Sequence, residues 1–221
     1  MPKSPLHLLG LIALLAALIG FVELGVLTVA FDKLGLSPRS AYLLLMTTLA
    51  GSFLNLPLFR IRSEPHPASS IPPQFREFYG LPRGVPQPGR TTVAVNVGGC
   101  VVPVAFCAYL GVHHPLPGVE LAACIAAVTL VARVFSRPIR GLGIGIPILI
   151  APITAAAIAY LVDREQAAPL AYIGGTLGVL IGADLLRLPD IRRLGVPFAS
   201  IGGAGSFDGI FVTGLLAVLL S

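Results

Sequence analysis

Charge is what this chain has least of. Lysine, arginine, aspartate and glutamate make up 11% of its 221 residues, against about a quarter in a soluble globular domain, and that deficit excludes a soluble globular fold. Cysteine is scarce as well. Cys100, Cys107 and Cys124 all fall inside apolar runs, which excludes a disulfide scaffold and leaves them as small buried apolar residues. No HExxH is present, and neither is a Cys or His pair at zinc spacing, a Walker glycine loop or a nucleophile elbow. His113 and His114 stand beside Pro115 and read as an exposed turn rather than a metal site. Neither a metal nor a nucleotide or other cofactor is expected.

What is abundant is apolar length. Hydrophobic residues make up 55% of the chain and mean hydropathy is +0.89. Seven stretches approach the roughly 20 apolar residues that a membrane helix needs: about 6–31, 40–59, 92–111, 118–135, 144–162, 168–187 and 198–220. Their continuity, without alternation, favours helices over a barrel. The expected fold is therefore all-α, a polytopic transmembrane helix bundle forming one integral membrane domain over 1–221. Lys3 ahead of Leu6–Ala17 is suggestive of a signal peptide, but the run continues to Ala30 without a convincing cleavage site and reads as a retained first helix.

Orientation follows from the cations. With the N-terminus cytoplasmic, the inner side receives Lys3, Arg60, Arg62, Arg76, Arg83, Arg90, Arg133, Arg137, Arg140, Arg187, Arg192 and Arg193. Only Lys33, Arg39 and Arg164 remain outside. That asymmetry fits the positive-inside rule for seven spans with the C-terminus outside, in a prokaryotic cytoplasmic membrane. The pI near 9.5 therefore reports topology, and no nucleic-acid partner is inferred; the expected partner is the lipid bilayer.

The segment 60–90 holds seven prolines, five arginines and two acids, and reads as a cytoplasmic linker. Phe75, Phe78 and Tyr79 within it offer a brief headgroup contact. The other connections are short, so helices six and seven should pack as antiparallel neighbours. Gly174, Gly175 and Gly178 on the first, and Gly202, Gly203, Gly205 and Gly209 on the second, would permit close approach. Oligomeric state is not readable.

Two acids stand out, Asp184 in IGADLLRL and Asp208 in GGAGSFDGIF, because a carboxylate in an apolar membrane segment is by default a functional-site hypothesis. Two on consecutive helices can share a proton and divide acid and base roles. Each has a local alternative. Asp184 stands three residues before Arg187 and can pair with it. If regular helix begins only near Ser206, Asp208 is a first-turn acid favoured by the helix dipole. Asn96 in VNVGGC can hydrogen-bond an aspartate or a substrate backbone, or cap a kinked helix. Pro147 and Pro152 in GIGIPILIAP mark an irregular element or a kinked packing helix. Glu23 lies toward the outer leaflet, away from the pair.

NVGG at Asn96–Gly99, GADLL at Gly182–Leu186 and GGAGSFDGIF at Gly202–Phe211 together resemble an uncharacterised family of prokaryotic multipass membrane proteins, classed only as a domain of unknown function. A second resemblance is to the intramembrane aspartyl proteases, the presenilin, signal-peptide-peptidase and prepilin-peptidase group. It implies Asp184 as the first catalytic aspartate and Asp208 as the second, with Leu188-Pro189-Asp190 similar to the Pro-Asp that follows the first in prepilin peptidases. It further implies substrate contacts at Asn96, Gly203, Gly205 and Pro147, and a membrane-protein or peptide substrate. The chain departs from Gly-x-Gly-Asp by two residues, in Gly203-Ala204-Gly205-Ser206-Phe207-Asp208, and lacks a later Pro-Ala-Leu helix, for which Pro147-Ile148-Leu149 would stand in. The competing expectations are a proton-coupled or small-solute carrier using the same acids, and a non-catalytic membrane scaffold.

Overall fold

The computed structural model describes residues 5–23, 25–64, 89–139, 143–194, 196, 198–203 and 207–221, and the side chains of 5–9, 11, 21–23, 26–28, 207–209 and 211–212 fall outside that description. The chain is mostly helical. In order it forms α1 (Pro5–Glu23), α2 (Val26–Lys33), α3 (Pro38–Gly51), β1 (Asn55–Arg62), β2 (Arg90–Asn96), α4 (Val102–His113), α5 (Gly118–Phe135), β3 (Arg137–Ile139), β4 (Gly143–Gly145), α6 (Ile150–Val162), α7 (Ala167–Val179), β5 (Phe198–Ile201) and α8 (Phe207–Leu220). A π turn, Val97–Val101, leads into α4, and a second, Leu180–Asp184, ends α7 before a 3-10 stretch, Leu185–Arg193. Among the described residues two helices are long and apolar enough to cross a membrane, Gly118–Phe135 and Ala167–Arg193, while Val97–His113 and Ile150–Val162 are shorter apolar helices.

α7 is the central element. It contributes Leu170 and Val179 to one buried cluster, with α5, α6 and α8, and Tyr172 and Ile173 to a second, with α2, α3 and α4. A helix apolar on every side belongs in such a position. Its glycines explain how closely it is gripped. Gly174, Gly178 and Gly182 recur every four residues and meet Cys124, Val128 and Ala132 of α5, which recur with the same spacing and in the same direction. The two helices therefore run parallel, with backbones close enough that a β-carbon on Gly178 would lie 2.5 Å from that of Val128. Gly175 turns to the opposite side, toward Ala155 of α6 and Thr213 of α8. The expected pairing of helices six and seven is thus present at Gly175 and Gly214, whereas the stripe Gly174–Gly178–Gly182 serves α5.

Strands replace helix at the cation-rich end, so the all-α expectation is corrected there. β1 and β2 pair antiparallel, β2 and β5 pair parallel, and the sheet order is β1-β2-β5. Helix was expected across 40–59, but α3 stops at Gly51, and Pro57 both lacks an amide proton and disfavours helix in the residue before it. Thr91, Thr92, Val93 and Val95 give β2 the β-branched density of a strand. The two ends of the expected 60–90 linker are themselves strand, with Arg62 opposite Arg90 and the Ser63 amide donating to Gly89 O at 3.0 Å; Phe75, Phe78 and Tyr79 lie outside the described residues. A short hairpin, β3–β4, occupies the start of the expected fifth span, whose helix begins only at Ile150. The first expected helix is interrupted at Gly25, in the left-handed region at φ 76°.

Charge is sorted by end. The sheet end carries Arg60, Arg62, Arg90, Arg133, Arg137, Arg187, Arg192 and Arg193; Lys33, which donates to Val218 O at 3.3 Å, Arg39 at the start of α3, and Arg164 stacked on Tyr160 mark the opposite end. The helices between them leave Leu43, Leu130, Val134, Ile153 and Leu161 exposed.

The α5–α7 contact is testable with a pair of alanines. Gly178→Ala is expected to cost about 1–3 kcal/mol through overpacking, read as a lowered thermal midpoint in detergent. Gly111→Ala, which meets nothing within 4 Å, should leave that midpoint unchanged or raise it slightly. Equal effects at the two positions would refute the tight interface.

Candidate functional site

Gly202 is where the sheet end is tied together. It follows β5 with φ +67°, a conformation that a side chain resists. Its amide donates to Oδ2 of Asp184 at 2.8 Å, and its carbonyl packs directly against Gly99. Asp184 is 9% exposed and ends the π turn after α7. Gly99 lies in the other π turn, so two irregular helix ends meet at one residue, Gly202. Such π segments recur at functional sites. Among the described residues, no donor reaches the second carboxylate oxygen of Asp184.

The local pairing of Asp184 with Arg187 is not formed. The Arg187 guanidinium turns to Asp190 Oδ2 at 3.0 Å, to Ser136 Oγ at 3.1 Å, and to the carbonyls of Arg133 at 2.7 Å and Ser136 at 2.5 Å. Those carbonyls close α5, so Arg187 satisfies acceptors that a helix C-terminus leaves open. Asp184 is left facing the Gly202 segment.

Asn96 acts as a three-way connector. Its Oδ1 accepts the Gly99 amide at 2.7 Å, and its Nδ2 donates to Ser52 O at 2.8 Å and to Asn55 Oδ1 at 3.2 Å. The Ser200 hydroxyl donates to the same Asn55 oxygen. One side-chain network therefore joins the end of α3, β1, β2, β5 and the π turn before α4. The capping alternative for Asn96 is the observed one, with the cap placed on a π turn. Close backbone contact between Gly98 and the Thr48–Ser52 turn locks the same corner.

Asp208 lies in the first turn of α8, which begins at Phe207, and its side chain is outside the described residues. Its level in the bundle follows from neighbours. Gly175 meets Thr213 and Ala217 and Gly214 meets Tyr172, while Gly202, ahead of α8, bonds Asp184 beyond the end of α7, so α7 and α8 are antiparallel. At a 1.5 Å rise per residue, Asp184 and Asp208 then fall at the same end, on the order of 5 Å apart in axial height. Gly203 donates its amide to Ser200 O at 3.1 Å, beside Gly202; Gly205 is outside the described residues. Pro147 is exposed in the turn ahead of α6, its carbonyl accepting from Ile150 at 3.3 Å, and is not gathered with Asp184. Instead the β3–β4 hairpin, not expected from the sequence, lies against the Leu180–Asp184 turn. Glu23 ends α1, its side chain undescribed. Cys124 is buried under Gly174 and donates to Leu170 O at 3.6 Å, in keeping with its reading as a small core residue.

The model of the family "Protein of unknown function (DUF1614)" matches residues 49–220, which contain Asn96, Asp184 and Asp208, and the chain belongs to that family. No curated protein and no solved structure matched it.

The Gly202 junction predicts unequal costs for alanine. Gly35→Ala meets only the left-handed backbone penalty, at φ +71° in open space, about 1–2 kcal/mol. Gly202→Ala adds a β-carbon 2.6 Å from Gly99 C to a similar φ, and should lose clearly more folded protein on a thermal ramp. Comparable losses would mean that the contact with Gly99 is unimportant.

Proposed function

We propose that this chain is an integral protein of the prokaryotic cytoplasmic membrane, its arginine-rich sheet end on the cytoplasmic side, and that it hydrolyses peptide bonds there with Asp184 and Asp208. The membrane assignment is supported by exposed apolar side chains on helices whose two ends differ in charge, the pattern that the positive-inside rule describes. The single observation that carries the hydrolase reading is the hydrogen bond from Gly202 to Asp184. It anchors the first aspartate to the segment that leads, five residues later, into the helix bearing the second.

In this reading one aspartate is ionised and takes a proton from water, whose oxygen bonds to the scissile carbonyl carbon. The other is protonated and gives its proton to the carbonyl oxygen. The tetrahedral adduct collapses as the C–N bond breaks and the nitrogen receives a proton, leaving a carboxylic acid and an amine. A helical substrate must expose its backbone before attack.

A carrier is the second reading, favoured by the meeting of two interrupted helices at Gly202, since broken helices form transporter sites. The test uses purified protein in vesicles with a fluorogenic membrane-peptide library, alongside a proton-flux measurement. Hydrolysis by the native chain should vanish in both Asp184→Asn and Asp208→Asn. Asp184→Asn retains an oxygen for the Gly202 amide, so its thermal midpoint should move little. Turnover surviving in either variant removes the dyad. Flux without cleavage, lost in the same variants, establishes the carrier instead.

A further inference from the structure

β1 is an edge strand with an unusual distribution of apolar and charged residues. Its pairing with β2 runs in one register from Asn55 to Pro57 and in another from Phe59 to Arg62, so Leu58 is an inserted, bulged residue. A one-residue slip moves every later side chain to the other face. Without it, Arg60 and Arg62 would share a face with Leu54 and Leu56. With it, Leu56, Phe59 and Ile61 align with Val95, Val93 and Thr91, while Arg60 and Arg62 align with Thr92 and Arg90 on the reverse. The bulge thereby makes the strand amphipathic.

The apolar face is the one that β2 turns toward the bundle. Val93 and Thr91 are fully buried there, and Ile61 packs on the same core. Leu54, Leu56 and Phe59 share that face yet remain 58%, 51% and 47% exposed. The outer strand therefore overhangs the helices it covers. An overhang facing along the bundle toward its apolar belt meets hydrocarbon if the bundle spans a membrane, and the reverse face, with Arg60, Arg62 and Arg90, meets headgroups. Leu43 and Met46 of α3, exposed just before the strand, continue the belt up to it. An uncovered apolar edge strand in water invites aggregation, so a covering surface is required. Arginine on one side and leucine on the other fit a bilayer surface of anionic lipid.

We propose that β1 is an interfacial strand, seated with Leu54, Leu56 and Phe59 in the acyl boundary of the cytoplasmic leaflet and with Arg60 and Arg62 on anionic headgroups. The proposal rests on the membrane assignment above and is independent of the hydrolase reading.

The chain contains no tryptophan, so a single introduced one reports its own surroundings. Leu56→Trp and Leu54→Trp place it on the strand, and Leu130→Trp places it on the exposed side of α5 as a control for the span. Each folded variant is reconstituted in phosphatidylcholine vesicles with and without phosphatidylglycerol. Quenching is compared between lipids brominated high on the acyl chain and aqueous acrylamide. The strand tryptophans should lose most of their emission to the brominated lipid and little to acrylamide. Arg60→Gln with Arg62→Gln should weaken the lipid quenching and abolish any gain from phosphatidylglycerol. Acrylamide quenching on the strand with lipid quenching at position 130 overturns the interfacial strand and leaves the span intact. Protection of the strand from both quenchers overturns it as well, because protein would then cover the face. Failure of lipid quenching at position 130 removes the membrane assignment and this proposal with it.

Discussion

The sheet end depends on the hydrogen bond between the Gly202 amide and Asp184. A left-handed glycine at the end of a parallel strand has its donor turned away from the ladder, and a buried backbone donor left unpaired costs roughly 1–3 kcal/mol. Asp184 supplies the acceptor from the end of the central helix. Because Gly202 O also lies against Gly99, the same residue ties the end of α7 to the turn that leads into α4. None of those elements is regular where they meet. Two π turns, a 3-10 stretch and a strand end converge, and the 2.8 Å bond joins the two sides of that junction.

The apolar interior follows the sequence closely and the junction does not, for a physical reason. α5 spans the residues expected of it because an uninterrupted apolar run leaves no competing conformation. Of Gly174, Gly175 and Gly178, expected against the last helix, only Gly175 faces it, and Gly174 and Gly178 pack on α5; parallel contact between α5 and α7 requires knowing that α6 lies elsewhere around α7. Hydropathy alone also absorbs β1, β2 and β5 into helices, since an apolar strand and an apolar helix end score alike. Pro57 and the Thr91–Val95 run carried the correcting signal. The start of α8 at Phe207 realises the late helix start that places Asp208 in a first turn. The Arg187 cap could not be read, because its acceptors Arg133 and Ser136 lie some fifty residues earlier in the chain.

Shortening of the helices and growth of the sheet are linked. α3, α6 and α8 have 13 or 14 residues each, about 20 Å at 1.5 Å per residue, well short of a bilayer's roughly 30 Å hydrocarbon core. At the arginine-rich end the remaining backbone is strand and turn, whose amides must find partners before lipid can surround them. The β1–β2–β5 ladder and the Asn96 network provide those partners. In the membrane setting proposed above, the exposed outer edge of β1 is tolerable only at a height where water or headgroups reach it, which is where Arg60 and Arg62 would hold it.

Asp184 is a structural residue, and that role is compatible with the chemistry proposed for it. A carboxylate has two oxygens; the Gly202 amide engages Oδ2 at 2.8 Å, which orients the group toward the end of β5. A carboxylate held by a positively charged side chain would have its charge neutralised and its position dictated by a flexible partner. Here the only nearby arginine in sequence, Arg187, is fully engaged by α5 and Asp190. That diversion separates this arrangement from a surface ion pair. The backbone bond that orients this buried acid belongs to the segment that precedes α8, whose first turn carries Asp208 at the same end of the bundle.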